Sequence, residues 1–202
     1  MLGEKQLLNR LRDSLEPAMS KLGLAFALTG LSANFWTGLG LAISIAAGAV
    51  YASGRIGFDW YIASLLGGIL LLASGFFDIV DGSVARATKK TSKKGAFLDS
   101  SFDKIAESVV FIGVAAGHLA SPVLCMVGLA LSLLVSYTRA RAESLGVELK
   151  GIGIGERAER LLILAVIGMI PVKGAMTWAI VIVSIVAGIT LAHRIIVTSK
   201  RL

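Results

Sequence analysis

The chain has 202 residues, of which 55% are hydrophobic and 16% are charged, and its formal net charge is +7. This composition, with its positive mean hydropathy, excludes an ordinary soluble domain and predicts an integral membrane protein. The lysines and arginines gather in short segments between apolar runs, which argues against a nucleic-acid-binding surface. The single cysteine, Cys125, excludes an intrachain disulfide and a zinc site built from cysteines.

The N-terminal segment carries a helical stripe of apolar residues. They recur at spacings of three or four, at Leu8, Leu11, Leu15, Met19 and Leu22. This spacing predicts an amphipathic juxtamembrane helix within residues 1–30. The helix lies either on the membrane surface or against the protein itself, and the pattern leaves both possibilities open.

Six apolar runs follow, and we interpret each as a membrane-spanning helix, because about 20 apolar residues cross a hydrocarbon core. The predicted spans are 34–52, 60–77, a third helix from 97 that becomes fully apolar over 109–116, 123–138, a fifth that ends at 170, and 175–192. The predicted fold is therefore an all-α integral membrane protein. It forms one domain over residues 1–202, with a six-helix bundle over 34–195.

The basic residues are distributed unevenly between the two sides of these spans. Only Arg55 and Lys173 lie on one side, whereas both termini and the two longer polar segments carry the remainder. By the positive-inside rule, the basic side faces the cytoplasm. We expect a multi-pass protein of the cell membrane, in contact with membrane lipid, whose longer polar segments are cytoplasmic.

Two kinds of residue within the spans predict local roles. Gly113 and Gly117 are four residues apart, so they share a helix face on which another helix can approach closely, most simply within the same chain. Trp36, Trp60 and Trp178 lie near span ends, where tryptophan commonly anchors a helix at the membrane interface.

Two pairs of aspartates flank the first long polar segment. Asp78 and Asp81 end the second predicted span, and Asp99 and Asp103 begin the third. Residues three or four apart share a helix face, and the short connection brings both pairs together. Converging carboxylates need a compensating cation, and an all-oxygen set suits Mg²⁺ or Mn²⁺. The pattern therefore predicts a divalent metal site rather than ordinary charges at span ends.

The residues around these aspartates follow the pattern Asp-x2-Asp-Gly-x2-Ala-Arg-x8-Gly-x3-Asp-x3-Asp from 78 to 103. This pattern resembles the signature of the CDP-alcohol phosphotransferases, and every specified position matches. The resemblance covers nearly the whole chain and implies a six-helix, homodimeric membrane enzyme. Such an enzyme transfers a phosphatidyl-type group from a CDP-lipid to an alcohol and releases CMP.

The resemblance also implies roles for individual residues. Asp103 would be the general base that deprotonates the acceptor hydroxyl. Two ions, Mg²⁺ or Mn²⁺, would be held by Asp78, Asp81, Asp99 and Asp103. The residues that would bind the CDP-lipid are Asn34, Thr37, Asp81, Gly82, Arg86, Ser92 and Gly95.

A second basic segment, residues 139–160, suggests what the acceptor carries. Arginine binds a phosphomonoester with two parallel hydrogen bonds, which favours a phosphorylated alcohol over neutral inositol, choline or ethanolamine. The segment resembles that of phosphatidylinositol-phosphate synthases and their archaeal counterparts, which implies inositol 1-phosphate as acceptor and CDP-diacylglycerol or CDP-archaeol as donor. The candidate ligands of the acceptor phosphate are Arg139, Arg157, Arg160 and Arg194.

Three alternatives accompany this interpretation. The arginines can instead fix topology or pair with Glu143, Glu156 and Glu159. Glycerol 3-phosphate also bears a phosphate, and the family signature does not separate it from inositol 1-phosphate. A small cation transporter is the alternative from another class, although we find neither a second acidic motif nor an internal repeat.

Overall fold

The computed structural model describes residues 17–57, 59–149 and 151–202. The described residues form helices and connecting turns, with no strand among them. The elements are α1 (described over 17–27), α2 (Ala33–Ala52), a 3₁₀ turn (Ser53–Arg55), α3 (Trp60–Ala87), α4 (Lys93–Ala116), α5 (Pro122–Ser144), α6 (Arg157–Gly168) and α7 (Ala175–Arg201). The all-α prediction is confirmed.

Four helices in the described part of the chain are long and apolar enough to cross a membrane. They are Ala33–Arg55, Trp60–Ala87, Pro122–Ser144 and Ala175–Arg201. The predicted count of six spans is not confirmed, for a different reason at each of the other two helices. α4 carries charges as far along as Glu107. α6 has 12 residues, which makes it about 18 Å long, well short of a hydrocarbon core of about 30 Å.

The N-terminal helix is present over the residues that the structure describes. Residues 17–27 are helical and include Met19 and Leu22 of the predicted apolar stripe. Leu22 packs against the buried residues of a small hydrophobic core. The expectations for Leu8, Leu11 and Leu15 lie outside the described residues.

The chain divides into two compact units, each built from two segments. The first comprises the described residues up to Ala42 together with Ser74–Asp103, and the second comprises Ile43–Ala73 together with Lys104–Leu202. α2, α3 and α4 therefore each contribute residues to both units.

Aromatic packing forms the core of the first unit. Trp36 is 7% exposed, and its ring stacks on that of Phe77 at a centroid distance of 5.8 Å. The ring of Phe26 contacts the Trp36 ring edge-on, at a centroid distance of 5.0 Å. Val80 and Val84 of α3 complete this core. The prediction of an interface anchor is therefore wrong for Trp36, whose ring is buried among other side chains. Trp178, in the second unit, is 66% exposed as an anchor would be.

The core of the second unit consists mainly of aliphatic residues, with the aromatic rings of Tyr51 and Phe111 among them. α7 packs against α5 and α6, and Ile180 and Val183 meet Leu164 and Phe111 in the same cluster. All four side chains are essentially inaccessible. Leu161 and Leu164 place the first turns of α6 in this core.

Glycines bring α2 and α4 into backbone contact inside the second unit. A Cβ on Gly113 would overlap the carbonyl oxygen of Gly48, and a Cβ on Gly117 would overlap the carbonyl oxygen of Tyr51. The predicted role of Gly113 and Gly117 in close helix packing is confirmed, and the contact lies within the chain.

We expect Gly113→Ala to lower stability by about 1–3 kcal/mol, because the added methyl forces the two backbones apart. Thermal unfolding in detergent measures the loss. Gly75→Ala in α3 is the matched control, because no atom of a neighbouring helix lies within 4 Å of the position that its added methyl would take. There the better helix propensity of alanine should leave stability unchanged or raise it by up to about 1 kcal/mol. Equal stability of the two variants would contradict the close contact.

Candidate functional site

Three of the predicted metal ligands meet in the first unit. Asp78 near the end of α3 and Asp99 and Asp103 in α4 each place a carboxylate oxygen within 4.8 Å of the others. Asp99 and Asp103 are one helical turn apart, which explains why they face the same way. Three carboxylates at this separation repel one another strongly in a partly apolar setting. A divalent cation between them is the simplest compensation.

The fourth predicted ligand, Asp81, lies beside this cluster. Its side chain is 6% exposed, and it interacts electrostatically with Asp78 and Asp99. The side chain of Thr37 lies within hydrogen-bonding range of its carboxylate, whereas Oδ2 is buried without a partner among the described residues. A buried, unsatisfied carboxylate oxygen is costly, so it fits a site completed by a bound cation.

A cavity of about 570 Å³ opens next to these aspartates, again within the first unit. Its volume falls in the range of sites for small molecules and cofactors. Asp99 belongs both to the carboxylate cluster and to the cavity wall. The wall also includes every residue predicted to bind a CDP-lipid, namely Asn34, Thr37, Asp81, Gly82, Arg86, Ser92 and Gly95.

Two helix N-termini face this cavity. Ser92 caps α4, with its Oγ accepting a hydrogen bond from the N–H of Gly95 at 3.0 Å. Ser32 caps α2 in the same way, accepting from the N–H of Phe35 at 3.3 Å. Both serines line the cavity. Helix N-termini present backbone N–H groups and a partial positive charge, so this wall suits phosphate oxygens.

Two basic side chains add to this positive wall. Arg86 and Lys90 both line the cavity, and Arg86 Nη2 donates to Ser83 Oγ at 3.2 Å. A Cβ on Gly82 would lie 3.3 Å from Arg86 Nη1. The absence of a side chain at residue 82 therefore leaves room for the Arg86 guanidinium against α3.

The four arginines predicted to bind the acceptor phosphate belong to the second unit, and they differ in their exposure and in their partners. Arg139 in α5 forms a partly exposed ion pair with Glu143, with Nε 2.9 Å from Oε1. Arg157 is the first residue of α6. The groups that interact electrostatically with Arg194 are Arg139, Glu156, Arg160 and Glu143. Arg139 and Arg160 therefore lie close enough to Arg194 for their charges to interact.

Arg160 is buried rather than open to a ligand. It is 1% exposed, and its Nε and Nη2 donate to Glu107 Oε1 at 3.2 and 2.8 Å. Its Nη1 donates to the carbonyl oxygen of Gly155 at 3.0 Å. Because three of its nitrogens are engaged within the protein, we correct its predicted role from phosphate ligand to structural anchor.

Arg194 is also largely engaged with the backbone. It is 3% exposed, and it donates from Nε to the carbonyl oxygen of Ile152 and from Nη1 to that of Val135, both at 2.9 Å.

Glu107, the partner of Arg160, was not predicted from the sequence. The sequence feature that could have identified it is an acidic residue one turn beyond Asp103, in a helix that becomes increasingly apolar. An ionised group in such a position needs a partner.

This arrangement of a carboxylate cluster beside a phosphate-compatible cavity in an all-α membrane protein agrees with the sequence comparisons. Residues 26–193 match the model of the CDP-alcohol phosphatidyltransferase family. The chain belongs to this family, and it is therefore a transferase and a multi-pass membrane protein.

Two archaeal relatives match almost end to end. The archaetidylinositol phosphate synthase of Methanothermobacter thermautotrophicus is 34% identical over 98% of this chain and 97% of its own. That of Pyrococcus horikoshii is 32% identical over 97% of this chain and 98% of its own.

The fold is also that of a solved enzyme. The Mycobacterium tuberculosis phosphatidylinositol phosphate synthase, crystallised with CDP-DAG bound, superposes with a TM-score of 0.75 at 24% identity, covering 89% of this chain and 92% of the other. A second crystal structure of that enzyme, with manganese and citrate, gives the same TM-score over 88% of its chain.

We expect Mn²⁺ to raise the unfolding temperature of the wild-type protein and not that of Asp99→Asn. A ligand that binds only the folded state adds about 2.7 kcal/mol at 100 times its dissociation constant, and the variant loses one carboxylate of the cluster. Thermal unfolding with Mn²⁺ or EDTA measures the difference. Glu148→Gln, an exposed acid in the second unit, is the control and should keep the full shift. A full shift in Asp99→Asn would contradict a metal site here.

Proposed function

We propose that the protein transfers the phosphatidyl-type group of a CDP-lipid to inositol 1-phosphate and releases CMP. The observation that carries this proposal is the cavity of about 570 Å³, whose wall gathers all seven residues expected to bind the CDP-lipid and one aspartate of the carboxylate cluster. These residues are spread from 34 to 99 in the sequence, so their convergence is a property of the fold.

In this proposal the cavity of the first unit holds the nucleotide end of the donor. The capped N-termini of α2 and α4 and the guanidinium of Arg86 would bind pyrophosphate oxygens. Asn34 and Thr37 lie on the same wall and offer polar contacts to the nucleotide. The lipid tails would remain against apolar helix surfaces, which do not distinguish CDP-diacylglycerol from CDP-archaeol.

Asp78, Asp81, Asp99 and Asp103 would hold two ions, Mg²⁺ or Mn²⁺. When bound, such ions neutralise pyrophosphate charge and stabilise the departing CMP. Asp103 would act as the general base and accept the proton of the acceptor hydroxyl. The resulting oxygen nucleophile would then attack the phosphorus on the lipid side of the pyrophosphate.

The second unit would recognise the phosphate of the acceptor. Arg139 and Arg157 are the proposed ligands, and Arg194 adds positive charge beside them. The names of the two archaeal relatives support inositol phosphate over glycerol 3-phosphate. The ion pair of Arg139 with Glu143 is exposed, and such pairs are weak enough for a phosphate to replace the carboxylate.

Three further features belong to this proposal. The strong bias of Lys and Arg toward one side supports an active site that faces the cytoplasm. Family resemblance supports a homodimer. The family match over residues 26–193 supports a single catalytic domain that spans both compact units.

The proposal predicts that purified protein with CDP-lipid and Mg²⁺ releases CMP with inositol 1-phosphate and not with free inositol. Glycerol 3-phosphate serves as the competing acceptor. Asp103→Asn should lower the rate by at least about a hundredfold, because a general base contributes about 10²–10⁴. Turnover with glycerol 3-phosphate alone would overturn the choice of acceptor. An absence of CMP release with every acceptor would overturn the transfer itself.

We further expect Arg86→Lys to raise the KM for the CDP-lipid by about tenfold, because lysine lacks the planar fork that binds two phosphate oxygens. The KM for the acceptor and the Mn²⁺-dependent thermal shift should not change. Arg55→Lys is the matched control, since Arg55 is an exposed arginine of the second unit that donates to His118 Nε2 at 3.2 Å. An unchanged KM for the donor in Arg86→Lys would exclude this arginine from donor binding.

A further inference from the structure

A buried ion pair joins α4 to α6 in the second unit. Glu107 is 0% exposed and Arg160 is 1% exposed, and the two meet through two hydrogen bonds at 2.8 and 3.2 Å. Lys104 Nζ also lies 3.5 Å from Glu107 Oε2. The carboxylate is therefore compensated on both oxygens, which is the condition for keeping such a charge inside a protein.

Stability alone does not account for this pair. Taking two charges out of water costs several kcal/mol each, and apolar residues of similar volume in such positions are often equally stable or better. A buried pair does, however, fix the relative orientation of its two groups, because the guanidinium and the carboxylate can hydrogen-bond in only a few geometries. The pair therefore holds the Arg160 guanidinium in one orientation.

The guanidinium of Arg160 reaches a glycine-rich segment, residues 151–155, that precedes α6. Its Nη1 holds the carbonyl oxygen of Gly155, whose φ is +81°. Thr190 of α7 exchanges hydrogen bonds with the N–H and carbonyl of Ile154, and Arg194 holds the carbonyl of Ile152. Three side chains from two helices thus fix consecutive parts of this segment.

Arg157 follows this segment after one intervening residue, Glu156. Glu156 and Glu159 form a reciprocal capping box around the first turn of α6, in which Glu159 Oε2 accepts from the N–H of Glu156 at 2.9 Å. The backbone of Arg157 is therefore set from both sides, by the anchored glycine segment before it and by the capped helix turn after it. The Cα of Arg157, from which its side chain extends, therefore has a fixed position.

We propose that Glu107 is a positioning residue for acceptor recognition, acting through Arg160 and the Gly155 carbonyl to place Arg157 against the acceptor phosphate. This inference rests on the proposed function and extends it to a residue that touches neither substrate. It also explains why a charged pair occupies a position at which apolar residues would suffice for folding.

The decisive variant is Arg160→Lys, which keeps the positive charge beside Glu107 but lacks the fork that also reaches Gly155. We expect the KM for the phosphorylated acceptor to rise by about tenfold or more, since small misplacements of binding groups are costly. The KM for the CDP-lipid should stay unchanged. Arg201→Lys is the matched control, because Arg201 also donates from Nη1 to a backbone carbonyl of this unit, that of Glu148, at 2.9 Å.

A double variant, Glu107→Met with Arg160→Met, removes both charges at similar volume and should fold with an equally raised KM for the acceptor. Hydrogen exchange over residues 151–157 gives a readout that does not depend on turnover, and both variants should exchange faster there than wild type. Unchanged exchange, or an unchanged acceptor KM in either variant, would overturn the inference. If the wild-type protein uses no acceptor, the proposed function fails, while hydrogen exchange still decides whether Arg160 anchors the segment.

Discussion

Mutual repulsion of aspartates is the constraint around which the first unit is organised. Asp78, Asp99 and Asp103 bring carboxylate oxygens within 4.8 Å of one another, and the buried Oδ2 of Asp81 lies beside them. Such a cluster is unfavourable unless a cation occupies it. In the proposed function the adjoining cavity belongs to the same arrangement, because the phosphate oxygens of a donor held there would also be neutralised by such a cation. The proposed metal and donor sites would thus be two parts of one electrostatic arrangement.

Periodicity and hydropathy predicted the helices well but the spans less well. The long apolar runs predict the starts of α2, α3 and α7 to within one residue, but the predicted spans 60–77 and 175–192 end ten and nine residues before the helices do, at Ala87 and Arg201. The predicted count of six membrane spans is not confirmed, because α4 and α6 are not among the four candidate spans. Hydropathy alone does not separate a helix packed within a protein from one that crosses lipid, and both of these helices begin with charged residues.

Although Asn34 and Thr37 join it only through the fold, most of the proposed donor site was predictable, because its other five residues lie within one short signature of fixed spacing. The acceptor arginines were not, because their roles depend on partners far away in the chain. Arg160 meets Glu107 across 53 residues, and nothing in the local pattern of α6 distinguishes it from Arg157. Burial decides between them, and burial follows from tertiary packing.

The buried pair of Glu107 and Arg160 has a consequence for biosynthesis. Glu107 is made 53 residues before Arg160, so α4 emerges from the ribosome carrying an acid whose final partner does not yet exist. Until then Lys104 of the same helix, whose Nζ lies 3.5 Å from Oε2, compensates the carboxylate only in part, and such a charge is costly in an apolar setting. The packing of α4 around Glu107 that the structure shows therefore forms only after Arg160 has been synthesised.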